Sequence, residues 1–214
     1  MNLILLGAPG AGKGTVSAQL ISLLGLTHVS TGDLFRQSIA EGTPLGIEAK
    51  HYIEAGCLVP DTLTANMLQE HLRSLSSSSG YIFDGFPRTI PQAEALDRIL
   101  AEFNMDIDLV LLVEVDYELI CERISQRRVC PLCGASYHLT LNAPARPGLC
   151  DHCAGELQRR ADDSRETVMA RLKTFEENTK PLIQFYEARG LLRRIDNSGP
   201  PEALREILRK VLST

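Results

Sequence analysis

Leu3-Ile4-Leu5-Leu6-Gly7-Ala8-Pro9-Gly10-Ala11-Gly12-Lys13-Gly14-Thr15 is the stretch on which the fold turns. Its four leading apolar residues form a short continuous run that stops at a glycine, the pattern of a strand buried on both faces. The glycines then allow a tight turn in which successive backbone N–H groups point inward at an anion. A helix over residues 13–24, ending near Gly25, aims its positive end at the same point. Lys13 adds a mobile charge for β- and γ-phosphates, and Thr15 brings a hydroxyl near a metal. The general phosphate-loop pattern places Ser or Thr directly after the lysine, where this chain has Gly14.

Working outward, similar apolar runs occur at Tyr81-Ile82-Phe83, at Leu109 to Val113 and, more weakly, around Leu191 to Ile195, and the short Thr27-His28-Val29 piece is a fifth strand candidate. Helical periodicity lies between them. Residues 117–128 read as one helix, with Arg123 and Arg127 sharing a face at i, i+4. Asp163 and Glu166 have capping-box spacing and predict the start of a long helix that Pro181 kinks or divides and Gly190 ends. A last amphipathic helix covers about 201–212, and the serine run 76–79 reads as a solvated loop. Strands alternating with helices predict an α/β fold, a five-stranded parallel sheet flanked by helices.

The chain has 214 residues, 44% hydrophobic and 23% charged, enough for one α/β domain with small insertions. Its net charge of −5 argues against general attraction to nucleic acid or anionic membranes, so any phosphate site needs locally gathered Lys and Arg. The N-terminus lacks the basic and long apolar regions of a signal peptide, and no apolar stretch is long enough to span a bilayer. A soluble protein of the reducing cytoplasm is the expectation.

Four of the six cysteines follow the spacing C-x2-C-x16-C-x2-C: Cys130, Cys133, Cys150 and Cys153. Two such knuckles close four thiolates into a tetrahedron around Zn²⁺, leaving no open position, so the metal is read as structural. The competing readings are a pair of disulfides, which a reducing compartment disfavours, and loose thiols. His152 is redundant if all four sulfurs bind, and Cys57 and Cys121 read as free, partly buried thiols.

Gly-Ala-Pro-Gly-Ala-Gly-Lys-Gly-Thr at 7–15, Ser30-Thr31-Gly32-Asp33 and Asp84-Gly85-Phe86-Pro87-Arg88-Thr89, followed in order by Arg123, Arg127, Arg160 and Arg171, resemble the adenylate kinase family across essentially the whole chain. The GKGT ending is the variant found in nucleoside monophosphate kinases. The resemblance implies reversible transfer of the terminal phosphoryl group of MgATP to AMP, giving two ADP, by a protein that is usually a monomer. It places ATP on Gly10, Ala11, Gly12, Lys13, Gly14 and Thr15, with Arg123, Arg127, Ser136, Tyr137 and Gly199 beside it. It places AMP on Thr31, Gly32, Arg36, Cys57, Leu58, Val59, Gly85, Arg88, Gln92, Arg160 and Arg171. Lys13, Arg88, Arg123, Arg160 and Arg171 are the implied catalytic set. Cys57 departs from the Lys or Arg more common there, a small departure because the contact is chiefly main-chain.

Those residue types suit the chemistry. Phosphoryl transfer needs alignment and positive charge, and the guanidinium fork holds two phosphate oxygens at once. Asp84, at the carboxyl end of a central strand, suits Mg²⁺ held through water; Asp33 is a second candidate, with helix capping as its alternative. Gln92 both donates and accepts, which fits an adenine edge.

The expected organisation is a core of residues 1–30, 61–127 and 163–214, an acceptor subdomain at 31–60 and a zinc-bearing lid at 128–162. Three other readings compete: a UMP or CMP kinase, a zinc-ribbon protein that grips nucleic acid, and a silent nucleotide sensor. Against the second, residues 134–149 hold one Lys or Arg, Arg146, and one Phe, Tyr or Trp, Tyr137. The presence of Lys13, Asp84 and every expected arginine argues against the third.

Overall fold

The computed structural model describes residues 1–75 and 79–213, so the serine run lies outside the described residues except for Ser79. Five strands, β1 (Leu3–Leu6), β2 (Thr27–Ser30), β3 (Tyr81–Asp84), β4 (Leu109–Glu114) and β7 (Leu192–Asp196), form one parallel sheet in the order β2-β3-β1-β4-β7. Each apolar run of the sequence became one strand. Alternation sends Leu3 and Leu5 to one face and Ile4 and Leu6 to the other. The first pair packs with Val16 and Leu20 of α1 (Lys13–Leu24) and Leu204 and Leu208 of α9 (Pro201–Leu212). The second packs with Leu68 of α4 (Asp61–Ser74), Leu96 and Leu100 of α5 (Ile90–Glu102), and Leu182 and Tyr186 of α8 (Pro181–Ala188).

Four helices carry local start signals of the usual kind. Ser30 Oγ accepts from the Asp33 N–H at the start of α2 (Thr31–Ala40), so Ser30 caps this helix and Asp33 sits inside its first turn. Thr43 does the same for α3 (Pro44–Glu54) and Thr89 for α5, each ahead of a proline in the first turn. A Cβ on Gly46 would lie 2.1 Å from the Ser38 carbonyl oxygen, so glycine is what lets α3 approach the end of α2.

Three expectations are corrected. The helix expected over 117–128 stops at Ser125 as α6 (Tyr117–Ser125). Arg127 begins β5 (Arg127–Val129), which pairs antiparallel with β6 (Ser136–His138). Arg123 and Arg127 therefore do not share a helical face; strand pairing and the buried Asp163 pull Arg127 out of the helix. Asp163 is no cap: its carboxylate is wholly buried against Arg127, and Ser164 Oγ accepts from the Thr167 N–H to start α7 (Arg165–Thr174). Cys57 and Cys121 are exposed rather than partly buried.

The expected break at Pro181 is present. The Lys180 N–H reaches back to the Phe175 carbonyl, closing a π-turn over Phe175–Thr179, and α8 starts at the proline. Gly190 follows the end of α8 at φ 71°. Among the described residues, no helix is long and apolar enough to cross a membrane.

Candidate active site

The loop after β1 is shaped by what packs beneath it. Gly12 precedes α1 at φ 91°, and a Cβ there would fall 2.4 Å from Asn197 Nδ2. That nitrogen donates to the Ala11 carbonyl at 2.7 Å, so a residue far along the chain braces the loop from below. Gly14 has open space around it and Thr15 is exposed. Lys13 Nζ donates to the carbonyls of Gly7 (2.8 Å) and Ala8 (3.1 Å). Burial, helped by the charges of Arg88, Arg171 and Arg127, lowers its pKa to about 8, against an opposing pull from Asp84.

Asp84 ends β3, with His28 Nε2 3.5 Å from its carboxylate. Burial pushes its pKa up, but the His28 and Lys13 interactions win and hold the carboxylate below its ordinary range. It stays ionised, as a ligand reached through magnesium-bound water requires. Asp33 is also held below the ordinary range: burial is outweighed by Arg36, which meets the carboxylate at 2.5 Å. Asp33 is thus already committed to a guanidinium.

Beside the loop lies a cleft of about 590 Å³, lined by every residue expected around the acceptor nucleotide except Arg160. A second cavity of about 500 Å³ holds Gly7, Pro9 and Lys13, with Lys13 alone of the expected ATP residues on its lining, and the two share Gly56, Leu58, Gly85, Arg88 and Arg171 as a common wall. Arg88 Nε donates to the Gly85 carbonyl at 2.9 Å, and Thr179 Oγ1 donates to the Arg88 carbonyl at 3.0 Å, so the π-turn steadies this arginine. Burial and neighbouring guanidiniums, Arg171 for one and Arg36 for the other, lower Arg88 and Arg160 to about 10. Both remain charged at neutral pH, gathered against their own repulsion. Within an acidic chain, this is the local positive charge that a phosphate site needs.

Two carboxylates that sequence reasoning left out of the site hold the arginines. Asp163 accepts from Arg127 Nε at 2.9 Å and from its Nη2, while Asp162 accepts from Arg171 at 2.8 Å and lines the cleft. Their only signal was an acidic doublet two residues after Arg160. Arg160 Nε is buried with no hydrogen-bond partner among the described residues. Arg123 donates to the Asn197 carbonyl at 2.7 Å, two residues short of the exposed Gly199. Ser136 is exposed, but Tyr137 turns inward and its hydroxyl lies 3.4 Å from Cys150 Sγ, so any nucleotide contact from Tyr137 is left to its backbone.

The four cysteine sulfurs all lie within 4.8 Å of one another. The cross-knuckle pairs Cys130–Cys153 and Cys133–Cys150 are 3.4 Å apart, and all four are free thiols, which removes the disulfide reading. Tetrahedral zinc with sulfur ligands at about 2.3 Å sets sulfurs about 3.8 Å apart, within the observed spread. Each knuckle turns through a positive-φ residue, Gly134 or Ala154, whose N–H returns to the first cysteine's carbonyl. The donor set fits zinc.

A family model described as adenylate kinase matches residues 5–191. Proteins named adenylate kinase are similar along nearly the whole length: 49% identical in a Geobacillus species over 99% of this chain and 98% of that one, and 47% in Clostridium beijerinckii over 99% and 96%. The Bacillus subtilis relative is 48% identical over 92% and 90%. With the sheet, the phosphate loop and the clustered arginines in place, the chain belongs to the adenylate kinase family.

Proposed function

We infer that this enzyme moves the terminal phosphoryl group of MgATP to AMP through the two adjoining cavities, ATP on the loop side and AMP in the larger cleft. The observation that carries the reading is their shared wall of Arg88 and Arg171 next to Lys13. In-line transfer needs donor and acceptor phosphates to meet among positive charges with water kept out.

The loop N–H groups of Gly10 to Thr15 hold the ATP phosphates. Lys13 exchanges its two carbonyl partners for phosphate oxygens and follows the charge as it moves. Arg123, Arg127, Arg160 and Arg171 surround the group in flight; Arg36 and Arg88 hold the AMP phosphate, and Gln92 with Thr31 reads its base. Magnesium, when bound, neutralises and orients the ATP phosphates; Asp84 would hold it through water, and Asp33 would join only by releasing Arg36. Zinc, when bound to Cys130, Cys133, Cys150 and Cys153, supplies structure rather than chemistry. Residues 128–162 serve as a lid that excludes water, 31–60 as the acceptor subdomain, and the remainder as the core.

Coupled ADP-formation rates with AMP, UMP, CMP and GMP as acceptors test this reading. AMP should lead by a wide margin; a preference for a pyrimidine monophosphate would refute the base assignment.

A further inference from the structure

A carboxamide alone is a poor judge of purines. Turned over by 180°, it keeps its shape and exchanges donor for acceptor, so a free Gln reads a 6-aminopurine and a 6-oxopurine equally well. Gln92 is not free. It is 2% exposed and lines the acceptor cleft, and both ends of its amide are tied. Nε2 donates to Asp61 Oδ1 at 2.7 Å, and Oε1 accepts from the Arg88 N–H at 2.7 Å. A carboxylate only accepts and a backbone N–H only donates. Turning the amide would set oxygen against oxygen and N–H against N–H in a buried place.

Asp61 is itself fixed. Thr89 Oγ1 donates to its other oxygen at 2.9 Å while accepting from the Gln92 backbone N–H at 3.2 Å, which closes a ring of three residues. Asp61 also stands at the first position of α4, where the helix dipole favours a negative charge. One N–H and one acceptor position remain on Gln92. Thr31 Oγ1 donates its proton to the Gly85 carbonyl at 2.9 Å, so that hydroxyl has only acceptor capacity left on the same cleft. Adenine presents an amino donor beside the N1 acceptor, whereas a 6-oxopurine presents a carbonyl acceptor beside an N1–H donor. With Oε1 and the Thr31 hydroxyl towards the C6 substituent and the free Nε2–H towards N1, the tied site matches the first edge and opposes the second.

We propose that Asp61 is a positioning residue that, by holding Gln92 in one orientation, makes the acceptor site select a 6-aminopurine over a 6-oxopurine monophosphate. The proposal rests on Gln92 facing the acceptor base.

The test measures kcat/KM for AMP and for inosine monophosphate, with MgATP, in the wild type, Gln92→Ala and Asp61→Asn. The amide introduced by Asp61→Asn can turn either of its ends to Gln92, so the AMP-to-IMP ratio should fall about tenfold, the worth of one well-made hydrogen bond. KM for ATP should be unchanged. A merely structural role for Asp61 would slow both acceptors and leave the ratio alone, which would overturn the proposal. If Gln92→Ala lowers the ratio and Asp61→Asn does not, base reading stands and the positioning role falls. If neither lowers it, Gln92 does not read the base and both readings fall. A measurement on the wild type needs no variant: one Gln92 side-chain amide proton should resonate downfield and exchange slowly in NMR spectra. Two rapidly exchanging protons would overturn the proposal even if Asp61→Asn failed to fold.

Discussion

Asp163→Asn changes almost no volume, yet it should be among the most damaging single-atom changes in the chain. The carboxylate is 0% exposed and accepts two N–H groups from Arg127, which keeps only 18% exposure, while Arg171 lies 3.9 Å away. The asparagine presents an NH₂ to one of those donors and leaves a guanidinium with little water to turn to. Breaking a buried pair from one side costs about 3–5 kcal/mol. The residual exposure of Arg127 puts this site near the lower end, about 3 kcal/mol, or roughly 6–12 °C in Tm for a chain of this size. Asp97→Asn is the matched control. Its partner Arg189 lies at 2.7 Å, but the two side chains are 40% and 39% exposed, so the loss should stay within about 1 kcal/mol. Circular-dichroism melts and urea titrations of both variants measure the difference, and KM for ATP in Asp163→Asn should rise as Arg127 loses its anchor. Should Asp163→Asn melt within about 2 °C of Asp97→Asn, burial would not be setting the value of this pair, and the argument fails.

The depressed Lys13 pKa predicts that kcat/KM for MgATP falls above about pH 8, as the free enzyme loses that charge. Between about 8 and the ordinary lysine value the unfolded chain binds more protons, so this group makes the fold more stable as pH rises there; a flat rate profile to about pH 9.5 would count against the assignment. Lys13→Met should lower kcat by orders of magnitude, on the order of 10²-fold or more, while the melt barely moves. Zinc removal, or changing Cys150 and Cys153 to Ser, should loosen residues 128–162, the proposed lid, and lower Tm, because the buried cluster there is Cys130, Tyr137 and Cys150 with Ala135 and Leu157 against them. At temperatures where the lid holds, stripped enzyme should keep substantial Mg²⁺-dependent activity, and equal stability with and without zinc would disprove the staple. Arg88→Ala should raise KM for AMP far more than KM for ATP, and equal losses in steady-state kinetics would mean that it serves both phosphates alike.

Legibility in the sequence followed the range of the interaction. The phosphate loop, the CxxC knuckles and the apolar runs of β1, β3 and β4 are each specified within a few residues, by backbone freedom, by ligand spacing or by burial on both faces. Each therefore appears in the structure where its residues predict it. The break at Pro181 was readable for the same reason, since a missing N–H is a local fact. The arginines proposed to bind phosphate were singled out by their order beside those motifs, not by any periodicity of their own.

What the tertiary structure decided is how those side chains are held, because their partners lie far away along the chain. Helical periodicity continued through Arg127, and only the pairing of β5 with β6 and the buried Asp163 turned that residue out of the helix. Asn197 reaches back to the Ala11 carbonyl, and Asp61 reaches forward to Gln92, with no sequence pattern joining either pair. Asp163 had cap spacing and became a counter-ion, since a buried guanidinium gains more from that carboxylate than a helix end that Ser164 already caps. Local chemistry in the sequence determined the phosphate-loop and four-cysteine motifs at which phosphates and metal are proposed to be met. The hydrogen-bond polarity of the acceptor pocket and the anchoring of its charges depend on burial and on contacts between distant residues, which exist only once the chain has folded.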